Sequence, residues 1–231
     1  MEKQGDRFSR DWRSRLSYSR EKGKGFAAPG GEFTRALYEW VLADENSVMR
    51  SLLKGQRVVE LGAGMMPYGY ALAAVCQAKN FVAVEPFYSD MQRVSVQSFV
   101  SENSGVVPRI PFKVSGLDML EYLTDEPDAL LCVIACGIED CILPGADYKR
   151  KVEREIERTL KPDAFFVSSH SDLCPQGLGS IVLSYPRPVN PSVTERLRLH
   201  GGKEAFDFHG AELARMRGET NGETWTAWPI P

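Results

Sequence analysis

The sequence predicts an α/β fold in which a mostly parallel, doubly wound sheet carries helices on both faces, and three observations point there. Apolar runs of strand length alternate along the chain with amphipathic helical segments. The run "ALLCVIAC", residues 129–136, is nearly continuous in apolar character, as a strand buried on both faces requires. The segment "RVVEL" runs straight into a Gly-x-Gly turn, Gly62 to Gly64, and then into the helical pattern "YALAAVCQA". A strand, a glycine turn and a helix in that order are the opening unit of a parallel sheet.

Each element can be read in turn. Phe33, Leu37, Trp40 and Val41 share one helical face, and "SVMRSLLKG" continues as a short helix stopped by Gly55. "RVVEL" is the first strand, and Pro67 suits the first turn of the next helix, where its missing N–H costs nothing. "FVAVE" is the second strand, "SDMQRVSVQSFVSE" a helix, "IPFKVS" the third strand, and "LDMLEYL" a turn entering a short helix. After the fourth strand, Tyr148, Val152, Ile156 and Leu160 recur every four residues in an amphipathic helix whose mixed charges form a solvated face. "KPD" then turns the chain into "AFFVSSH", the fifth strand. Beyond His170, prolines at 175, 186, 188 and 191 punctuate the pattern, and a helix is expected at "PSVTERLRLH" and a last strand at "ETWTAWPI".

Composition limits the function. With 231 residues and 43% hydrophobic content, the chain suits one globular domain, and no run reaches the roughly 18 apolar residues of a membrane span. The N-terminus lacks the apolar segment of a secretory signal, so the expectation is a soluble, cytoplasmic protein with no membrane partner. Five cysteines is an odd count, and the spacing of Cys132, Cys136 and Cys141 is not that of a zinc site, so reduced thiols and no metal are expected. Residues 1–25 carry eight Lys or Arg against four Asp or Glu, which leaves −7 for the rest of a chain of net charge −3. Residues 1–30 therefore read as a basic arm, either a solvated leader or a lid closing with Phe8, Trp12, Tyr18 and Phe26. Residues 31–231 form the domain, with no linker or internal repeat to divide it.

The chemistry lies at the strand ends. Gly62 and Gly64 leave backbone N–H groups open to a ligand because neither has a Cβ in the way. Glu85 ends the next strand, 21 positions beyond Gly64, the spacing at which a carboxylate meets ribose hydroxyls. Asp118 and Met119 follow the third strand, where a carboxylate can accept from an adenine amine. Glu60, two residues before the first glycine, decides between ligands: it would repel a pyrophosphate but suits a ligand with an amino group and a sulfonium. Pro67 also stands where a dinucleotide fingerprint has its third glycine, which disfavours a nicotinamide-dependent oxidoreductase.

On these residues the sequence resembles the class I S-adenosylmethionine-dependent methyltransferases. "VVELGAG" (Val58 to Gly64) looks like the first motif of that family, "FVAVEP" (Phe81 to Pro86) like the second, and "GLDML" (Gly116 to Leu120) like the third. "ALLCVIACG" and "LKPDAFFVSS" are similar to the fourth-strand and fifth-strand passages. The resemblance covers about residues 33–170 and implies the family's Rossmann-like, seven-stranded sheet and S-adenosyl-L-methionine as cofactor. It implies that Glu60, Gly62, Ala63 and Gly64 line the methionine part, Glu85 and Pro86 the ribose, and Asp118 and Met119 the adenine. Cys136 would face the cofactor after strand four. The chain departs from the pattern at Met65, Met66 and Pro67, where the family has small residues, and at Asp163 and Ala164, where it often has a glycine pair.

Methyl transfer needs an aligned nucleophile, plus a base if that nucleophile is a hydroxyl. Candidate bases lie at the ends of strands four and five: Glu139, beside Asp140, and His170. Acids at such positions are more often a solvated loop pair or a helix cap, and a lone histidine such as His170 is more often structural. The (N/D)PP(Y/F) segment of enzymes that clamp a flipped base is replaced by "ACGI" (Ala135 to Ile138), which disfavours a nucleic acid acceptor. A small-molecule O- or N-acceptor is the expectation. A protein acceptor and a catalytically silent cofactor-binding module acting through a partner are the alternatives.

Overall fold

The computed structural model describes residues 28–43, 47–64, 68–86, 97–98, 100–101, 107–130, 132–138, 143–187, 190–213 and 225–226. In chain order these hold helices α1 (Ala28–Ala43) and α2 (Val48–Leu53), strand β1 (Arg57–Leu61), helix α3 (Tyr68–Val75), strands β2 (Asn80–Val84) and β3 (Phe112–Ser115), and helix α4 (Met119–Asp125). Strand β4 (Cys132–Cys136), helix α5 (Ala146–Thr159), strands β5 (Phe165–Ser169), β6 (Gly179–Arg187) and β7 (Asn190–Gly201), helix α6 (Lys203–Phe208) and strand β8 (Trp225–Thr226) complete the order. Residues 1–27 of the basic arm with its four aromatics, the residues Met65, Met66 and Pro67, and most of "SDMQRVSVQSFVSE" lie outside the described residues, while residues 28–30 of the arm open α1.

The sheet order is β3-β2-β1-β4-β5-β7-β6-β8, eight strands in all; the two-residue edge strand β8 falls within the last strand expected at "ETWTAWPI", and β6 has no counterpart in the expected elements. The five strands β3, β2, β1, β4 and β5 are parallel, and β7 enters antiparallel between β5 and β6. Strand order reverses between β1 and β4, the point at which ligands sit in open α/β sheets.

Both faces of β1, β2, β4 and β5 are buried, β4 and β5 at all five positions, while the edge strand β3 leaves Lys113 exposed. Glu60, Ala83, Ile134, Val167 and Leu199 share one register row and hence one face. Helix α3 meets this face through Tyr70 against Phe81 and Phe112, α1 through Trp40 stacked on Tyr185, and α6 through Phe206 against Phe165. The opposite parity, including Val59, Leu61, Val133 and Phe166, is also buried, and α4 and α5, which pack on each other, cover it. Arg158 ties these two helices together by donating to the carbonyls of Leu123 and Glu126.

One expected element is wrong. "PSVTERLRLH" belongs to β7 and not to a helix. Its period is two: Glu195, Leu197 and Leu199 are buried, and Thr194, Arg196 and Arg198 between them are exposed. Long antiparallel pairing with β6, from Gly179–Gly201 to Pro186–Thr194, fixes that register and overrides the helix-forming Glu, Arg and Leu side chains.

Candidate functional site

The predicted site residues converge on one end of the sheet because the carboxyl ends of parallel strands all point the same way. Gly62, Ala63 and Gly64 follow β1, Glu85 and Pro86 follow β2, Asp118 caps the helix after β3, Cys136 ends β4, and His170 follows β5. Glu139 and Asp140 lie outside the described residues.

The glycine turn depends on backbone freedom. Gly62 has φ +61° and Gly64 φ +57°, the left-handed region that other residues rarely adopt. Any Cβ on Gly62 would stand 2.4 Å from the Ile138 side chain, so the loop after β4 packs directly on the loop after β1. The Ala63 N–H donates to Val84 O at 3.2 Å, and the Gly64 N–H donates to the Glu85 carboxylate at 3.3 Å. The glycine loop and the acid expected to meet a ribose are thereby in contact, and Glu85 is buried.

Glu60 is the electrostatic centre. It is 3% exposed, and its Oε1 accepts from the Thr34 hydroxyl of α1 at 3.1 Å. The other carboxylate oxygen, Oε2, is buried without a hydrogen-bond partner. Burial pushes this carboxyl up to about 7, against the Thr34 bond, which acts the other way. A Cβ at Gly69 would fall 1.6 Å from Oε2, so α3 accommodates the carboxylate only because Gly69 has none. Cys136 borders the same pocket, and burial followed by the Glu60 charge pushes its thiol up to about 12. An acid lodged this deep, with one oxygen unsatisfied, is costly unless a cation completes it.

Asp118 has a local duty. As N-cap of α4, its Oδ1 accepts from the N–H groups of Leu120 at 2.8 Å and Glu121 at 2.9 Å, and from the Tyr148 hydroxyl at 3.0 Å. "DMLE" is a capping box in sequence, with Glu121 three residues after the cap, a signal that explains Asp118 without a ligand. Met119 is buried in the core.

His170 sits at φ +48°, and its Nε2 hydrogen-bonds the carboxylate of buried Glu195 on β7. It opens onto a cleft of about 520 Å³ shared with Ser168, Val182, Thr194, Arg196 and Arg198. The other two histidines are structural: His200 is buried and stacked on Phe166, where burial and then Arg198 hold it down to about 4, and His209 hydrogen-bonds Asp163 O at 3.0 Å.

Sequence reasoning missed Thr34, Gly69, Ile138, Tyr148 and Glu195. Gly69 was the discoverable one. A glycine inside a helix costs up to about 1 kcal/mol relative to alanine and points to a close approach.

No protein-family model matches the chain, and no curated protein matches it. Among solved structures, it is similar to a Burkholderia thailandensis 1,6-didemethyltoxoflavin-N1-methyltransferase with bound 1,6-didemethyltoxoflavin and S-adenosylhomocysteine. The identity is 14%, with a TM-score of 0.51 over 86% of this chain and 90% of that one. Weaker likenesses are to a spermidine synthase of Thermotoga maritima, at 10% identity and TM-score 0.48 over 84% and 72% of the two chains. Another is to a Pyrococcus horikoshii structure described as an RNA methyltransferase, at 16% and 0.43 over 67% and 80%. Likenesses at these identities concern the fold and not the reaction. With its strand order, its inserted antiparallel β7 and its glycine turn at the reversal point, the chain has the Rossmann-like fold of the class I S-adenosylmethionine-dependent methyltransferases.

Proposed function

We propose that the chain binds S-adenosyl-L-methionine at the glycine turn and transfers its methyl group to a small molecule. The observation that carries this reading is the buried, half-satisfied Glu60 carboxylate beside two left-handed glycines, since it fits a ligand that brings a positive charge and disfavours one that brings a pyrophosphate. Bound there, S-adenosylmethionine supplies an electrophilic methyl on a sulfonium.

The chain's own residues then have distinct tasks. Glu60 faces the cationic methionine end, while Gly62, Ala63 and Gly64 leave room for its main chain. Glu85 exchanges its bond from Gly64 N–H for ribose hydroxyls. Asp118 keeps Oδ1 for the helix cap, which leaves Oδ2 for the adenine amine. Pro86 and Met119 supply apolar walls, and Cys136 acts as a neutral, space-filling thiol rather than a nucleophile. Where the acceptor is a hydroxyl, His170, held through Nε2 by the Glu195 carboxylate, is the base that takes its proton. The cleft at His170 has the volume of a small-molecule site.

Equilibrium dialysis against S-adenosylmethionine and NAD in parallel tests the reading. Binding of the first alone, weakened in Glu60→Gln, is expected. Binding of NAD alone, indifferent to Glu60→Gln, would replace it with an oxidoreductase.

A further inference from the structure

The wet face of the β5–β7–β6 segment carries a feature that the cofactor site does not use. Ser168, Arg198 and Val182 stand in one register row across the three strands, and Arg196 lies on the same face two residues along β7. The cleft above them is lined by these strands and by the loop after β5, and among the described residues no helix residue enters its lining. Ser168 and Val182 line it beside the two arginines.

Neither Arg196 nor Arg198 has a side-chain hydrogen bond or ion pair among the described residues, whereas Arg57 and Arg158 are each engaged by a carboxylate. Among the described residues lining the cleft, two are acids, buried Glu195, paired with His170, and exposed Asp172, against two guanidinium groups. Residues two apart on an extended strand share a face with their Cα atoms about 7 Å apart, so two long guanidinium side chains there can both donate to one anion.

The cleft also adjoins the glycine turn. Gly62 packs on Ile138, the Ile138 carbonyl accepts from the Asp172 N–H at 2.7 Å, and Asp172 lines the cleft. We infer that this cleft is the acceptor subsite and that it selects a small molecule bearing a carboxylate or phosphate, held by Arg196 and Arg198 with its nucleophile turned toward His170. The inference rests on the methyltransferase reading for the identity of the occupant as acceptor.

Calorimetry on the full chain tests it with two probes, benzoate and phenyl phosphate, each titrated into the native protein and into Arg196→Gln/Arg198→Gln. Both arginines are exposed, so the double variant keeps its fold, which an unchanged thermal midpoint verifies. At least one probe is expected to bind and to lose roughly ten- to a hundred-fold in affinity in the variant, and the preferred probe distinguishes carboxylate from phosphate. No binding of either, or equal affinity in the variant, overturns the inference. So does tighter, arginine-dependent binding of a short single-stranded RNA, which would make the face a nucleic-acid surface. A parallel titration with S-adenosylhomocysteine separates the two levels: if it binds and the anions do not, only this inference falls, and if it does not bind, the methyltransferase reading falls.

Discussion

The parallel half of the sheet, β3-β2-β1-β4-β5, and the antiparallel pair β6–β7 build their polar groups in opposite ways. In the parallel half, β1, β2, β4 and β5 are buried on both faces, so apart from Glu60 chemistry there is confined to strand tips: the glycine turn, Glu85, Asp118 and His170. In β7 the polar groups run along the strand, with Thr194, Arg196 and Arg198 alternating against Glu195, Leu197 and Leu199. A parallel sheet concentrates its function where strands stop, and an antiparallel one can spread it over a wet face.

That contrast implies a gradient of mutational cost. Leu61→Ala, in a fully buried position of β1, should lose about 2–5 kcal/mol in denaturant unfolding, because both the burial and the filled space go. A loss below about 1 kcal/mol would mean that the parallel half is packed far more loosely than its burial implies.

Glu60 gives the next largest effect, through pH. A carboxyl whose folded value is about 7 against an unfolded value near 4.5 contributes its stability in full below the unfolded value. That contribution is lost as pH rises to the folded value, because the unfolded chain releases the proton first. The ligand-free chain should therefore lose about 3 kcal/mol from this group between pH 4.5 and 7, and Glu60→Gln should flatten that part of a stability-against-pH curve. Profiles that coincide for the two proteins would show that the carboxylate is already satisfied.

Gly69→Ala probes the same group from α3. Its Cβ displaces the Glu60 carboxylate, so S-adenosylhomocysteine affinity should fall roughly ten-fold or more even though helix propensity improves by up to about 1 kcal/mol. Unchanged affinity would detach Glu60 from ligand binding. At the small end, Arg198→Ala on the wet face should change stability by no more than about 0.5 kcal/mol, and a larger loss would make β7 part of the structural core.

The same contrast explains what the sequence disclosed. The parallel strands were legible because burial on both faces writes a continuous apolar run, and their tips were legible because Gly62, Gly64 and Glu85 stand at chemically meaningful intervals. β7 was misread because "TERLRL" offers apolar positions compatible with either period, and only pairing with β6 chooses between them. Asp118 was found as a strand-tip acid, but its capping box went unread. The Glu195 partner of His170 was hidden with β7, and Thr34 is separated from Glu60 by 26 positions, a distance no local pattern spans, whereas Gly69 was there to be read as a glycine inside a helix.

The central claim is that the half-satisfied Glu60 and the Gly64–Glu85 contact form a site for S-adenosylmethionine. Isothermal titration of S-adenosylhomocysteine into the native chain and into Glu85→Ala tests it most directly. Binding in the micromolar range that weakens at least roughly ten-fold in the variant is the predicted result. Absence of binding to the native chain, or binding that ignores the loss of Glu85, would contradict it.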